Sequence, residues 1–269
     1  MSYDIIIVGG GPAGLTAAVH TRARNRSVLV VSNELTASPL CKAQEIENYP
    51  GLSKISGLEL VQRLAAQAKS MGAEFRPGRV MNVMPVGDHC LVSVGSHVVE
   101  GKSVILATGV SRAAPIPGEE RLLGRGVSYC ATCDGMFYRG KDIVVAGNSH
   151  DLEDEAEYLS SIGCLVHQTE LHGLTILGEY EVEGVLTRSG ERISCDGVFL
   201  LRSSMAPAKL VAGIELKGRH ILVDRFMATN LPGIFAAGDC TGEPLQIAKA
   251  VGEGQMAAHS ALAYLNSKA

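Results

Sequence analysis

No run of apolar residues in this 269-residue chain reaches the ~18 residues that a membrane-spanning helix needs. Charge of one sign is not in excess either: 24 Lys and Arg stand against 28 Asp and Glu, a formal net charge of −4. Without a basic stripe or a polybasic tail, neither a nucleic-acid nor a membrane-surface partner is expected. The opening Met-Ser-Tyr-Asp-Ile-Ile-Ile-Val has no basic segment and no cleavage site, so no signal peptide is expected and a cytoplasmic location is. Tryptophan is absent, which points to no function. Cysteine is scarce and odd in number: Cys41, Cys90, Cys130, Cys133, Cys164, Cys195 and Cys240. That is no disulfide framework, and only Cys130 and Cys133 are close, a spacing that in a reducing compartment means catalysis or metal binding. A zinc site needs a second ligand pair, and the sequence has no second C-x-x-C and no H-x-x-x-H, so no metal is expected. The other five cysteines read as small buried apolar residues.

What is present is a globular composition, 46% hydrophobic and 19% charged, of a length that suits two domains. Residues 4–8 form a β-branched apolar run bounded by glycines, followed by a helix over 13–24 and a strand over 28–32. The spacing predicts a helix over 57–71, a β-meander over 79–104, and a strand over 104–107. Ala113 to Gly118 reads as a linker. A second strand-turn-helix-strand opens at Asp142, with strands over 143–146 and 164–167 around a helix over 151–161. Short strands follow over 174–201, a second linker at Lys217-Gly218-Arg219, a strand over 234–237 and a last helix over 246–265. The fold class expected is α/β: two Rossmann-like, three-layer nucleotide-binding domains, the second inserted in the first and truncated. The expected bounds are 1–114 with 218–269, and 115–217.

Three motifs carry chemistry. Gly9-Gly10-Gly11-Pro12-Ala13-Gly14 fits G-x-G-x-x-G between a strand and a helix, the context that gives the motif meaning. Gly9 suits the tight turn, Gly11 the approach of a pyrophosphate, and Gly14 close helix–strand packing. The helix N-terminus then offers free N–H groups to phosphate. Glu34, 20 residues on, could hold a ribose hydroxyl or simply lie in a loop. Cys130-Ala131-Thr132-Cys133-Asp134 can close a small reversible disulfide, and Asp134 could act as a general acid or cap the next turn. Phe235-Ala236-Ala237-Gly238-Asp239, ahead of Leu245-Gln246-Ile247, puts a carboxylate at a strand's C-terminal end, suited to a flavin nucleotide but also a common turn.

Together with Glu45-Ile46-Glu47-Asn48-Tyr49-Pro50-Gly51, Ala107-Thr108-Gly109, Ile116-Pro117-Gly118-Glu119, Val127-Ser128-Tyr129-Cys130, Phe137-Tyr138-Arg139-Gly140-Lys141 and Pro232-Gly233-Ile234, these stretches resemble the low-molecular-weight thioredoxin reductases over nearly the whole chain. The resemblance implies an FAD-dependent disulfide oxidoreductase, a homodimer whose FAD domain is interrupted by a disulfide-bearing domain, with thioredoxin as partner. It implies that Cys133 faces the flavin, that Cys130 attacks the partner disulfide, and that Asp134 supplies protons. By the same matching, Gly9, Gly11, Pro12, Ala13, Gly14, Glu34, Asn48, Val80, Ala107, Thr108, Gly109, Gly238, Asp239, Gln246 and Ile247 contact FAD.

The chain departs from that family where NADPH should bind. Its second turn reads Gly147-Asn148-Ser149-His150-Asp151-Leu152, keeping only the first glycine. Where the family has His-Arg-Arg, this chain has His167-Gln168-Thr169-Glu170. Two lost charged hydrogen bonds, roughly 1.5–3 kcal/mol each, weaken NADPH by about two to four powers of ten. A few tens of residues are missing beyond Glu170. On the FAD side, Ser38-Pro39 replaces a Gly-Gln pair and Leu245 an arginine. These losses resemble the ferredoxin-dependent flavin thioredoxin reductases, which implies reduced ferredoxin as donor, docked on basic residues such as Arg121, Arg125, Arg139 and Lys141, or these are ordinary solvated charges. A remodelled site for NADPH, NADH or a deazaflavin, and a non-catalytic redox-sensing flavoprotein, are the alternatives. Without NADPH a smaller or different domain motion is expected.

Overall fold

The computed structural model describes residues 2–35, 38–95, 97–110, 115–147, 152–202 and 207–268, with the backbone alone at Pro39 and Cys133. The chain divides into two compact units, Met1–Ser111 with Met205–Ala269, and Arg112–Ser204.

Unit 1 opens with β1 (Ser2–Val8), α1 (Pro12–Arg22) and β2 (Val28–Ser32). Pro12 sits at the first helical position, where its missing N–H costs nothing and its fixed φ favours the helix. Next come α2 (Gly57–Ser70), capped by Ser56 Oγ accepting the Glu59 N–H, then β3 (Glu74–Pro77). β4 (Val80–Val86), β5 (His89–Val94) and β6 (His97–Leu106) form an antiparallel meander.

The meander and the strand expected after it prove to be joined. β6 is one strand with two roles: its first half pairs with β5, and its second half joins a parallel sheet. The alternating burial of its first residues gives way to continuous burial from Ser103, as fits a strand passing from a half-solvated layer into one covered on both faces.

Unit 2 contains α3 (Glu119–Leu122), β7 (Val127–Ser128), α4 (Ala131–Asp134), β8 (Asp142–Gly147), α5 (Leu152–Ser161) and β9 (Leu165–Glu170). After these come β10 (Thr175–Leu177), β11 (Gly184–Leu186), β12 (Arg192–Ser194) and β13 (Gly197–Leu201). A parallel sheet runs β7-β13-β8-β9, and β10-β11-β12 form a separate antiparallel sheet.

The chain re-enters unit 1 through α6 (Pro207–Leu210), β14 (Leu216–Lys217), β15 (His220–Ile221), β16 (Ile234–Ala236) and α7 (Ile247–Lys268). The stretch expected as a second linker is a hairpin turn instead. Lys217 pairs with His220, and Gly218 has φ +65°, so this glycine is a turn residue. The return to unit 1 therefore precedes the expected Gly218, and Leu210, Val211 and Ile214 belong to the unit 1 core. The first expected linker lies partly outside the described residues, at 111–114.

The main sheet of unit 1 runs β3-β2-β1-β6, with β16 paired to the second half of β6, all parallel. Val8 stands opposite Val31 and Leu106, and Leu106 opposite Ala236. Four strands thus end level, and their loops leave from one edge. In open α/β sheets that edge is where nucleotides bind. Among the described residues no helix is long and apolar enough to cross a membrane.

Candidate active site

On the carboxyl edge of unit 1 the loop after β1 meets the loops after β6 and β16. Gly9 has φ +118°, and a Cβ there would lie 2.1 Å from the Ala107 carbonyl oxygen. A Cβ on Gly14 would lie 2.0 Å from the Gly9 oxygen, and one on Gly238 2.9 Å from Ala13 Cβ. Gly11 differs: nothing lies within 4 Å of its missing Cβ. Gly11 is the N-cap of α1, offers no side-chain cap, and no acidic residue follows in the first turn. The helix start is therefore open and electropositive, as a pyrophosphate requires.

The other expected contacts gather on the same edge or nearby. Ala107 donates its N–H to Val8 O at 2.8 Å, with Thr108 and Gly109 following. Glu34 is exposed just past the end of β2, and Val80 is buried at the start of β4. Asn48 Nδ2 donates to Gln246 Oε1 at 3.0 Å across 198 residues of sequence, and Ile247 packs against Ile46, Ile55 and Leu60. Asp239 opens a short 3-10 turn after β16. The chain's residues fit a dinucleotide: an uncapped helix start, an open face at Gly11, and polar groups from four loops.

Sequence reasoning missed the residues that hold the last of these loops. Lys249 and Glu253 on α7 both bond into the segment 238–242. A lysine and a glutamate on a helix carry no signal in sequence, being the usual composition of a solvated face.

In unit 2, Cys130 lies between β7 and α4, is buried, and is disulfide-bonded. Cys41, Cys90, Cys164, Cys195 and Cys240 are free, so none of them is its partner. The Cys133 side chain lies outside the described residues; its backbone is within α4. Buried Ser128 organises this corner. Its Oγ donates to Asp134 Oδ2 at 2.6 Å and accepts the Cys130 N–H at 3.1 Å. Burial pushes the Cys90, Cys195 and Cys240 thiols up to about 11, which leaves them protonated and unreactive at neutral pH. Met136 and Phe137, just beyond Asp134, are exposed, Phe137 at 73%.

A buried ion pair stands next to the redox corner. Arg202 donates to both Glu119 oxygens at 2.7 Å, Tyr129 OH to Oε1 at 2.8 Å, and the Ile116 N–H to Oε2 at 2.8 Å. Burial alone would raise the Glu119 carboxyl; hydrogen bonds from Arg202, Ile116 and Tyr129 outweigh it and hold the group at about 2. Burial, then the Glu119 carboxylate, pushes the Tyr129 phenol up. No local pattern signals this pairing across 83 residues.

The second nucleotide-type turn is remodelled. A Cβ on Gly147 would meet the Leu201 oxygen at 1.9 Å, so this glycine serves strand packing. Residues 148–151 lie outside the described residues. The first turn of α5 carries Glu153, Asp154 and Glu155. The strand expected over 164–167 runs from Leu165 to Glu170, extended by parallel pairing with β8, so Gln168, Thr169 and Glu170 lie within β9 rather than after it. His167 sits opposite Val144, with Nε2 2.9 Å from Asp142 Oδ1. The residues after the strand are Leu171, His172 and Gly173, again without arginine. Among the described residues no cluster could hold a metal ion.

The model of the pyridine nucleotide-disulphide oxidoreductase family matches residues 3–177 and 164–254, and the chain belongs to that family as an FAD-dependent disulfide oxidoreductase. The thioredoxin reductase of Bacillus subtilis (strain 168) is 34% identical, with 98% of this chain and 95% of the relative covered. A ferredoxin-flavin thioredoxin reductase from Clostridium acetobutylicum superposes with a TM-score of 0.93 at 36% identity, covering 99% of both chains. The atypical thioredoxin reductase TRi from Desulfovibrio vulgaris Hildenborough gives 0.75 at 30%, again over 99% of each. Within its family the chain thus stands among the thioredoxin reductases. The Bacillus alignment spans 299 positions against 269 residues, so this chain lacks segments that the relative carries.

Proposed function

We propose that the protein reduces thioredoxin with electrons from reduced ferredoxin, by way of FAD and the Cys130–Cys133 pair, and that it works as a homodimer. Bound FAD supplies a carrier that fills one electron at a time and empties two at a time. The loops 9–14, 107–109 and 238–239 hold it, with Glu34, Asn48, Val80, Gln246 and Ile247 around them. Once the pair is reduced, the Cys130 thiolate attacks the partner disulfide and forms a mixed disulfide. The Cys133 thiolate then attacks the Cys130 sulfur, which re-forms the internal disulfide and releases the partner as a dithiol. Two electrons and two protons pass to the partner, with Asp134 delivering a proton to the leaving sulfur.

The observation that carries the choice of donor is the first turn of α5, with its three carboxylates. These side chains already occupy the dipole's positive end and repel a phosphate. α1, by contrast, has no acidic residue in its first turn. The lack of arginine in Leu171-His172-Gly173, directly after β9, and the 36% identical ferredoxin-flavin thioredoxin reductase support the same reading. The driving force suffices: ferredoxin clusters lie near about −400 mV and thioredoxin near about −270 mV, a gap of roughly 6 kcal/mol for two electrons.

Anaerobic mixing of the yellow protein with NADPH, NADH and reduced ferredoxin in parallel tests the proposal. Flavin absorbance is expected to bleach promptly with ferredoxin alone. Prompt bleaching by stoichiometric NADPH would overturn the choice of donor. A single species of one-chain mass by light scattering would overturn the homodimer.

A further inference from the structure

Two local rules are broken at the start of α7. Lys249 lies in the first turn, where the helix dipole disfavours a cation. Glu253 follows it by four residues, the less favourable order for such a pair. Both side chains are largely buried, 16% and 19% exposed, and a pair at that depth pays desolvation and ordering that its mutual attraction alone does not return. Departures of this kind collect where function demands them.

The compensation comes from the Gly238–Gly242 segment. Lys249 Nζ donates to Gly238 O at 2.9 Å, Gly242 O at 2.6 Å and Thr241 Oγ1 at 3.0 Å, and lies 3.2 Å from Glu253 Oε2. Glu253 Oε2 accepts the Gly238 N–H at 2.9 Å and lies 2.9 Å from Thr241 Oγ1. Gly238 is thereby held by both its N–H and its carbonyl, at φ 87° and ψ −153°, a backbone conformation favouring glycine. The residue between these anchors is Asp239.

We propose that Lys249 and Glu253 are positioning residues for FAD: a clasp that fixes the segment presenting Asp239 before the cofactor arrives. This rests on reading that segment as part of the FAD site. A loop ordered in advance loses less entropy on binding, so the clasp adds to cofactor affinity beyond what it gives the fold.

The test is FAD binding to apoprotein, followed by flavin fluorescence, together with thermal midpoints of the apo and FAD-loaded forms. Lys249→Met and Glu253→Gln are each expected to weaken FAD about tenfold to a hundredfold. They should lower the midpoint of the apoprotein, since each breaks one side of a largely buried pair, and lower that of the loaded form further. Lys249→Arg should restore most of the affinity. Thr241→Val, close in shape, removes one link with little risk to folding and should cost several-fold. Unchanged FAD affinity, or an apo midpoint that falls as far as the loaded one, would overturn the clasp. A wild-type chain that takes up no FAD would overturn the site reading along with it.

Discussion

Ser128 stands between an amide it must satisfy and a carboxylate it must aim. Ser128→Ala leaves the Cys130 N–H buried without its 3.1 Å acceptor, a cost of about 1–3 kcal/mol. It also frees Asp134 from its 2.6 Å partner. Thioredoxin reduction is expected to slow, with Ser128→Thr recovering the rate. A rate that holds while only the melting point falls would make Ser128 purely structural. Glu119 sets a second residue-scale expectation. Its carboxyl is held at about 2 against an ordinary 4.5. The folded pKa is depressed, so the group contributes stability that is fully present above the unfolded value and is lost as pH falls from there toward the folded one. Urea unfolding of Glu119→Gln should therefore show a flatter acid limb below pH 4.5 than wild type. At neutral pH that variant and Arg202→Met should each lose about 3–5 kcal/mol, the range for breaking one side of a buried pair. An unaltered acid limb would mean that Glu119 does not titrate in this window.

At the scale of elements, Gly14 and Gly11 of the first turn do different work and should fail differently. Gly14→Ala drives a Cβ to 2.0 Å from the Gly9 oxygen, a backbone clash expected to cost about 3 kcal/mol in the apoprotein. Gly11→Ala meets nothing within 4 Å, so apoprotein stability should hold while FAD affinity falls. Apo melting points set beside FAD titrations separate the two, and equal FAD affinity in Gly11→Ala and wild type would remove Gly11 from the site. This turn was legible in the sequence because its chemistry is local: a strand, glycines at fixed offsets and a helix, all within one stretch. The same holds for β2, read at 28–32 and found there, and for the cysteine pair. What was not legible depends on partners far along the chain. β6 read as two pieces because its neighbours change halfway, from β5 to β16. The 217–219 stretch read as a linker because a glycine turn looks alike whether it joins domains or closes a hairpin. Arg202 and Glu119, or Lys249 and the carbonyls of its loop, become meaningful only once folding has brought them together.

At the scale of the whole molecule, the chain builds separate apolar cores. One unit 1 cluster joins Ile6, Val8, Leu29 and Val104 with Leu210, Val211 and Ile234; another joins Ile5, Ile7 and Val30 with Phe235, Ala257 and Leu265. Both halves of unit 1 therefore contribute to the same cores, although 93 residues, Arg112–Ser204, intervene in sequence. The clusters of unit 2, around Val144, Val185 and Val198 and around Ile143, Leu159 and Phe199, draw on unit 2 residues. A domain with its own core folds alone, and a flexible loop's closure entropy grows only slowly with length. Residues 1–111 joined to 205–269 through a short Gly/Ser linker are thus expected to fold cooperatively and to bind FAD. The excised protein should be yellow, with the clasp and the glycine turn intact, yet unable to reduce thioredoxin because it lacks Cys130 and Cys133. Absorbance of the purified protein, a single thermal transition and a thioredoxin assay check each part. A product that unfolds without a transition or stays colourless when given FAD would mean that unit 1 depends on its insertion, and that the cofactor site is not complete on the sheet edge where β1, β6 and β16 end.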